Sequence, residues 1–267
     1  MNCEVAVIGF GEAGSTFARA GGWQGRARAW DLLAERREQA GKAGLSMAGS
    51  AAEALGGAPL VLSLVTADQA LAAARDHAPL LADGALWCDG NSVAPATKRA
   101  AAEAIAAAGG RYVDCAILAP VNPARLAVPL LLSGADAELA VPLLRKLGFS
   151  NLRVVGAEVG RASAIKMIRS VMVKGLEALS DEMMAAAAAA GVTEEVLASL
   201  DASADAMPWR TRVAYNLERM ATHGERRAAE MEESARTLRG LGVAPVMTEG
   251  TIRRQRDAAL QRQGQPA

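Results

Sequence analysis

A short apolar run near the start of the chain leads directly into a glycine-rich turn. The run is Glu4-Val5-Ala6-Val7-Ile8, which is typical of a buried strand, and glycines follow it with GxGxxG spacing. In this motif the first glycine permits a tight turn, the second leaves room for a pyrophosphate, and the third lets a helix pack closely on the strand. The N–H groups at the helix N-terminus favour phosphate. We therefore predict a dinucleotide site formed by Gly9, Phe10, Gly11, Glu12, Ala13 and Gly14.

The flanking segments agree with this interpretation, which matters because a lone GxGxxG is a common turn. An amphipathic helix is predicted from about Ser15 to Ala20, and a second strand over Arg26–Trp30 is followed directly by Asp31. A carboxylate at that position accepts hydrogen bonds from the adenosine ribose and repels a 2′-phosphate, so the sequence favours NAD. NADP stays open because three arginines lie nearby, namely Arg28, Arg36 and Arg37.

Composition narrows the class of protein. The 267 residues are 51% hydrophobic and carry no net charge, which allows a sizeable core and argues against nucleic acid as the main partner. No apolar run is long enough to span a bilayer, and the N-terminus does not resemble a signal sequence, so a cytoplasmic location is expected. Cys3, Cys88 and Cys115 each adjoin an apolar strand, which predicts buried free thiols. No Cys/His spacing is typical of zinc, so no metal is expected.

Apolar runs alternate with helical stretches up to about residue 156. Strands are predicted over residues 4–8, 26–30, 60–64, 85–88, 111–114, 128–132 and 152–155. This alternation predicts an α/β protein with a Rossmann-like, doubly wound, mostly parallel sheet in a dinucleotide-binding domain over residues 1–158. Ligands of such sheets bind beyond the carboxyl ends of the strands. Val65 and Thr66 follow one such end and are expected to contact the cofactor, and the polar segment Asp89–Ser92 follows another.

The pattern changes at about residue 162. Apolar residues then recur at spacings of three and four, which predicts one long helix over residues 162–190, about 43 Å long. The apolar stripe consists of Ile165, Ile168, Met172, Leu176, Leu179 and Met183. Further helices are predicted around residues 194–204, 209–221 and 225–240, and residues 253–267 are expected to form a charged, fraying tail. We therefore predict an all-helical C-terminal domain over residues 159–267.

A polar stripe lies on the opposite face of the same predicted helix. It consists of Lys166, Ser170, Lys174, Glu177 and Asp181. A solvated face with ion pairs is one interpretation, and part of a functional site is the other. Lys166 differs because it lies in the first turns of the helix, where the chain leaves the carboxyl edge of the sheet. A lysine there can hydrogen-bond a substrate oxygen and move a hydroxyl proton. Lys174 is expected to pack, to pair with Glu177 or to touch a larger substrate.

These motifs resemble the β-hydroxyacid dehydrogenase superfamily, which includes 6-phosphogluconate and 3-hydroxyisobutyrate dehydrogenases. The segment Asp89–Pro95 is similar to the family's substrate loop, and Gly160–Lys166 is similar to its Gly-x-Gly-x-x-x-Lys motif, with Ala162 in place of the second glycine. The resemblance implies that Lys166 is the catalytic acid/base. It implies an NAD(P)-dependent oxidoreductase that acts on the CH–OH group of a β-hydroxy acid or sugar acid, and a homodimer formed through the helical domain.

The chain departs from the family pattern around its substrate site. Arg169 and Ser170 stand where the family usually has two asparagines, and the segment Asp114–Pro120 replaces a loop whose N–H groups hold the substrate carboxylate. Pro120 has no N–H to offer. We therefore expect the substrate to be bound by Asn91, Ser92, Arg169 and Ser170, with Asn91 also touching the cofactor and Arg125 as an alternative ligand of a carboxylate.

Three alternatives stay open. The segments Lys166–Ser170 and Arg226–Glu233 resemble a less-studied branch with a phosphogluconate dehydrogenase-like C-terminal domain, which implies a substrate other than those of the best-known members. A sugar-acid oxidoisomerase is the first alternative, and it would use the polar residues near Lys174. Imine reductases share this architecture, although they often replace the lysine. A dinucleotide-binding sensor without turnover belongs to another class of function, and it would not need Lys166.

Overall fold

The computed structural model describes residues 3–202, 207–240 and 245–263. The chain divides into two compact units, Met1–Lys166 and Met167–Ala267, which we call the sheet unit and the helical unit. Among the helices in the described part of the chain, none is both long and apolar enough to cross a membrane.

The sheet unit is built on one eight-stranded sheet. Its strands are β1 (Val5–Ile8), β2 (Ala27–Trp30), β3 (Ser46–Met47), β4 (Leu60–Ser63), β5 (Leu86–Asp89), β6 (Arg111–Ile117), β7 (Leu130–Ser133) and β8 (Leu152–Gly156). The spatial order is β3-β2-β1-β4-β5-β6-β7-β8, and every pair is parallel except β6 with β7. The chain proceeds from β1 to one side and then returns to the other, so the order reverses between β1 and β4, where such sheets bind ligands. The predicted Rossmann-like, mostly parallel sheet is confirmed.

Helices cover both faces of this sheet. They are α1 (Glu12–Ala20), α2 (Ala34–Lys42), α3 (Ala51–Leu55), α4 (Ala70–His77), α5 (Pro95–Ala107) and α6 (Ala137–Lys146). Alternate residues of β1 serve two separate cores, because successive side chains of a strand point to opposite faces. Val5 and Val7 pack with Phe17, whereas Ala6 and Ile8 pack in the cluster that contains Trp87. All three cysteines are buried free thiols, as predicted.

The helical unit contains the remaining helices. The helix α7 (Arg161–Ala190) begins in the sheet unit and continues into the helical unit, where α8 (Thr193–Asp201), α9 (Trp209–Gly240) and α10 (Val246–Gln263) follow. The prediction of one long helix over residues 162–190 is confirmed.

Two predictions for the helical unit are wrong. The predicted helices 209–221 and 225–240 form the single helix α9, and the predicted fraying tail is helical as far as Gln263. Gly224 explains the first error, because it looks like a break in the sequence. A Cβ at Gly224 would lie 2.1 Å from the carbonyl oxygen of Gln255, so this glycine is a close crossing point between α9 and α10. Residues 264–267 lie outside the described part of the chain.

The exposure of the two faces of α7 is the reverse of that in a usual amphipathic helix. Ile168, Met172 and Leu176 of the predicted apolar stripe are exposed, and the exposed fraction of Met172 is 65%. In contrast, Ser170, Lys174 and Glu177 of the polar stripe are buried. The interpretation of the polar stripe as a solvated face is therefore wrong at these three positions. The side chains of Leu179, Asp181 and Met183 lie outside the described part of the structure.

Candidate active site

The glycine-rich turn joins β1 to α1 and leaves open space at its centre. Gly9 has a φ of +88°, and a Cβ there would lie 2.6 Å from the carbonyl oxygen of Leu64. A Cβ at Gly14 would lie 2.7 Å from the carbonyl oxygen of Gly9. A Cβ at Gly11 would meet no atom within 4 Å. The outer glycines are therefore required by the protein's own packing, whereas Gly11 faces a space in which a ligand can approach the backbone at the N-terminus of α1.

Asp31 lies against this turn. Its Oδ2 accepts a hydrogen bond from the N–H of Phe10 at 2.8 Å, and its Oδ1 accepts one from the N–H of Leu33 at 2.9 Å. The sequence places Asp31 directly after β2, so the turn of β1 and the end of β2 meet at one edge of the sheet. A carboxylate at this place fits the ribose of an adenine dinucleotide.

The three nearby arginines are engaged with other groups. Arg28 donates to the carbonyl oxygens of Glu53 and Gly56, and Arg36 donates to Gln39. Arg37 donates to the carbonyl oxygens of Asp31 and Leu32, and its guanidinium lies 4.8 Å from the centroid of the Trp30 ring. These contacts hold the guanidinium groups on the protein itself, which agrees with the preference of the sequence for NAD over NADP.

Asn91 is buried at the carboxyl edge of the sheet, and one polar atom of its side chain has no hydrogen-bond partner among the described residues. Its Nδ2 donates to Ser63 Oγ at 3.0 Å, and its backbone N–H donates to Asp89 Oδ1 at 2.9 Å. Among the described residues, its Oδ1 has no hydrogen-bond partner. Buried polar atoms are normally satisfied, so this oxygen is suited to a ligand donor. Val65 and Thr66 follow β4 at the same edge of the sheet; Val65 is partly buried and Thr66 is exposed.

Lys166 and Ser92 meet at this edge although 74 residues separate them in sequence. The ammonium of Lys166 donates a hydrogen bond to Ser92 Oγ, and both side chains are partly buried. Ser92 comes from the loop after β5 and Lys166 from the second turn of α7. A cationic donor and a hydroxyl are thereby placed side by side at the carboxyl edge.

Two sequence-predicted substrate ligands, Arg169 and Ser170, belong to the helical unit. Arg169 is exposed, and Ser170 is buried four residues after Lys166 in the same helix. Arg125, the alternative ligand, is exposed and has a φ of +50°.

A buried charge cluster under the Ser92 loop was missed by sequence reasoning. Lys98 donates to the carbonyl oxygen of Asp89 at 2.6 Å and to its Oδ1 at 2.8 Å, and it lies 3.4 Å from Asp114 Oδ1. Tyr112 donates its O–H to Asp89 Oδ2 at 2.7 Å. We call Lys98, Asp89, Asp114 and Tyr112 the buried charge cluster. The signal for it was present in the sequence, since both aspartates lie in strand segments that are otherwise buried and therefore need a cationic partner.

The pKa values of Lys98 and Tyr112 are both shifted in the buried charge cluster. Burial by itself lowers the pKa of Lys98, but the carboxylates of Asp89 and Asp114 outweigh it and hold the pKa above its ordinary value. Burial, together with the charge of Asp89, raises the pKa of Tyr112 well above its ordinary value. Lys98 is therefore charged and Tyr112 neutral throughout the physiological range.

The helical unit holds its own set of buried charges. Lys174 is paired with Glu230, and Arg227 is paired with Glu177, whose Oε2 also accepts from Gln255 at 3.0 Å. Burial lowers the pKa of Lys174, and the charge of Glu230 opposes that effect. Of the alternatives predicted for Lys174, the pairing with Glu177 is wrong, because Glu230 of α9 is its partner.

The fold and this edge of the sheet define a class: dinucleotide-binding α/β proteins with a helical second part. Residues 4–156 match the family described as the NAD binding domain of 6-phosphogluconate dehydrogenase. The chain therefore belongs to this family, and its NAD-binding domain is of the 6-phosphogluconate dehydrogenase type. Residues 187–258 match a domain of unknown function, DUF1932.

Three solved structures resemble the whole chain. A conserved hypothetical protein from Sinorhizobium meliloti 1021 is 38% identical, with a TM-score of 0.76, over 100% of this chain and 92% of that one. The conserved protein MTH1747, whose structure is described as similar to 3-hydroxyacid dehydrogenases, is 32% identical, with a TM-score of 0.72, over 96% of this chain and 98% of that one. The 3-hydroxyisobutyrate dehydrogenase ygbJ from Salmonella typhimurium is 19% identical, with a TM-score of 0.77, over 97% of this chain and 95% of that one, so it shares the fold.

Proposed function

We propose that this protein is an NAD-dependent dehydrogenase of a small β-hydroxy acid or sugar acid, with Lys166 as its general acid/base. The observation that supports this function is the hydrogen bond from the Lys166 ammonium to Ser92 Oγ at the carboxyl edge of the sheet. The Gly9–Gly14 turn follows β1 at the same edge, and only β4 lies between β1 and β5. Because adjacent strands are about 4.8 Å apart, the two strand ends are roughly 10 Å apart, which suits one bound dinucleotide reaching from the turn towards Ser92.

The residues of this edge divide the chemistry between them. A nicotinamide cofactor, when bound, would supply the acceptor or donor of the hydride that leaves or reaches the hydroxyl-bearing carbon. For oxidation the Lys166 ammonium first releases one proton to solvent, and the neutral Nζ then takes the hydroxyl proton; in reduction the ammonium gives a proton to the oxygen that becomes the hydroxyl. Ser92 Oγ holds the substrate oxygen beside Lys166 Nζ, and the unpartnered Oδ1 of Asn91 accepts a hydrogen bond from the substrate or the cofactor.

The substrate carboxylate is assigned to the positions at which the chain departs from the family pattern. Arg169 can bind a carboxylate through two parallel hydrogen bonds, and Ser170 can add a third donor. Both follow Lys166 within α7. Val65 and Thr66, which follow β4, are assigned to the cofactor.

We propose further that the protein is a homodimer formed through α7. Four apolar side chains of this helix, Ile168, Met172, Val173 and Leu176, are exposed in the single chain. An exposed apolar patch of this kind usually marks an interface. Met172→Glu should give a monomer in sedimentation velocity, whereas Glu195→Gln on α8 should leave the dimer intact. A wild-type monomer at micromolar concentration would refute the dimer.

The first experiment follows nicotinamide reduction by absorbance. The wild type, Lys166→Ala and the control Lys146→Ala are tested with NAD and NADP separately against β-hydroxy acids and sugar acids. Loss of a general acid/base is expected to lower kcat by about 10²–10⁴-fold in Lys166→Ala while NAD binding is retained. Lys146 lies on the surface, where it pairs with Glu4, so its substitution should have no effect on turnover.

The other outcomes discriminate between the alternatives. Turnover that survives Lys166→Ala would remove Lys166 as the proton carrier. No turnover of any acid, together with tight dinucleotide binding, would overturn the dehydrogenase and favour an imine reductase or a sensor.

A further inference from the structure

The start of α7 is held by a carboxylate from the middle of the sheet. Asp114 Oδ2 accepts hydrogen bonds from the N–H groups of Gly160 and Ser163, at 3.2 and 2.9 Å. Ser133 supports this arrangement, because its Oγ donates to Asp114 Oδ2 at 3.3 Å and accepts from the N–H of Ala162 at 3.0 Å. A buried carboxylate thus satisfies the first N–H groups of the helix that carries Lys166 only three residues further on.

The Ser92 loop is held by the other carboxylate of the cluster. Asp89 Oδ1 accepts from the N–H of Asn91, the residue directly before Ser92. The same oxygen accepts from Lys98, and Oδ2 accepts from Tyr112. Lys98 therefore joins the two carboxylates that fix the two sides of the Lys166–Ser92 hydrogen bond.

We propose that Lys98 is a positioning residue. It sets the distance between Ser92 and Lys166 by holding Asp89 and Asp114 together. This role rests on the proposed function for its purpose, since it aligns a catalytic ammonium with a substrate-binding hydroxyl. Lys98 itself is fully buried, and it contacts Asp89 and Asp114 rather than the hydrogen-bonded pair that they hold.

The charges of the cluster support a positional role. One ammonium faces two carboxylates, so the cluster carries a net negative charge in a region without exposed surface. The N-terminus of α7 and the Tyr112 hydroxyl compensate for that charge. Buried ion pairs of this kind often add little to stability compared with apolar residues, whereas they specify one arrangement of the groups that they join. The one arrangement specified here places Lys166 beside Ser92.

The test measures the reactivity of lysine side chains and therefore requires no substrate. The chain has only five lysines, so each can be followed separately: Lys42, Lys98, Lys146, Lys166 and Lys174. Each amine is acetylated with acetic anhydride under pulse conditions, and the rate at each lysine is read by mass spectrometry. The variants are Lys98→Met, the charge-matched double variant Lys98→Met/Asp114→Asn, and Ser133→Ala, with Ser150→Ala as a surface control. Ser133→Ala keeps every charge, so it remains informative if Lys98→Met fails to fold.

In the variants that fold, the acetylation rate at Lys166 is expected to rise at least threefold, because the ammonium loses its fixed place beside Ser92. The rate at the exposed Lys146 serves as the internal reference and should not change. An unchanged Lys166 rate in folded Ser133→Ala and in the folded double variant would overturn the proposal.

Turnover separates this proposal from the function on which it rests. Once a substrate is found, Ser133→Ala should lower kcat about fivefold while the Kd for NAD stays within twofold of the wild type. A raised Lys166 acetylation rate with unchanged turnover would support the positioning role and contradict the catalytic role of Lys166. Lower turnover with an unchanged acetylation rate would contradict the positioning role alone.

Discussion

The carboxylate of Asp31 accepts a hydrogen bond from the backbone N–H of Phe10, with 2.8 Å between Oδ2 and N. Phe10 lies inside the glycine-rich turn, and Asp31 directly follows the second strand. The hydrogen bond therefore fixes a carboxylate against the glycine-rich turn. That carboxylate would repel the 2′-phosphate by which NADP differs from NAD.

This contact leads to an expectation about the cofactor. Asp31→Ser should shift the ratio of kcat/KM for NAD to that for NADP towards NADP by about tenfold, equivalent to about 1.4 kcal/mol, since the repelling carboxylate is removed. Steady-state kinetics with both cofactors measures the ratio. Glu35→Ser is the control, because Glu35 is an exposed carboxylate of α2. A ratio that does not move in Asp31→Ser would contradict the assigned role.

Removal of the Lys98 charge should destabilise the sheet unit strongly. Lys98→Met leaves two buried carboxylates without their cation, and breaking such a pair costs about 3–5 kcal/mol. Lys146→Met is the matched control, because Lys146 pairs with Glu4 on the surface, and it should stay within about 0.5 kcal/mol of the wild type. Three of the four tryptophans lie in this unit, so urea unfolding followed by tryptophan fluorescence reports mainly on it: Trp23, Trp30 and Trp87. Equal urea midpoints of unfolding for Lys98→Met and Lys146→Met would contradict the assignment of Lys98 as the cation that stabilises the buried charge cluster.

Tyr112 is expected to lower the free energy of unfolding of the sheet unit at high pH. Its pKa is raised by burial and by Asp89, so its contribution to the free energy of unfolding is complete below the ordinary tyrosine pKa of about 10 and is lost as pH rises through the folded value. The chain has two tyrosines, so Tyr215→Phe leaves Tyr112 alone to be followed by tyrosinate absorbance. We expect ionisation above pH 10 that coincides with unfolding. Ionisation of the folded protein below that pH would be inconsistent with the hydrogen bond to Asp89.

The pair of Lys174 and Glu230 should show coupled energetics in the helical unit. Lys174→Met removes the buried cation of this pair, while Arg226 still contacts Glu230 Oε1 at 2.6 Å, so the free energy of unfolding should fall by about 2 kcal/mol. The double variant Lys174→Met/Glu230→Met removes both charges of the pair and should recover most of that loss. Urea unfolding of the single and double variants, monitored by circular dichroism, measures the coupling. Additive losses in the double variant would show that the two groups do not depend on each other.

The sequence predicts the sheet well because its signals are local. Each strand from β1 to β8, except β3, is a short apolar run bounded by turn residues. The strand β3 is not predicted because it consists of two exposed residues, Ser46 and Met47, which pair with β2 at the edge of the sheet. The glycine-rich turn is also local, and its residues are contiguous.

The parts that escape prediction depend on contacts between distant segments. Nothing near Gly224 in the sequence shows that α10 crosses there, so the glycine reads as a helix break. Lys98 sits beside Arg99 in a helical pattern and reads as a surface charge, although Asp89 and Asp114 bury it. The buried polar stripe of α7 escapes for the same reason, since its partners come from α9 and α10.

The hydrogen bond from Gly160 to Asp114 also constrains the order of folding. It spans 46 residues, whereas the contact between Phe10 and Asp31 spans only 21. The longer loop contains β7, α6 and β8, and its closure costs more chain entropy than closure of the shorter one. A nascent chain can therefore form its glycine-rich turn early in synthesis. Lys166 can take its position beside Ser92 only after the chain has been synthesised beyond β8.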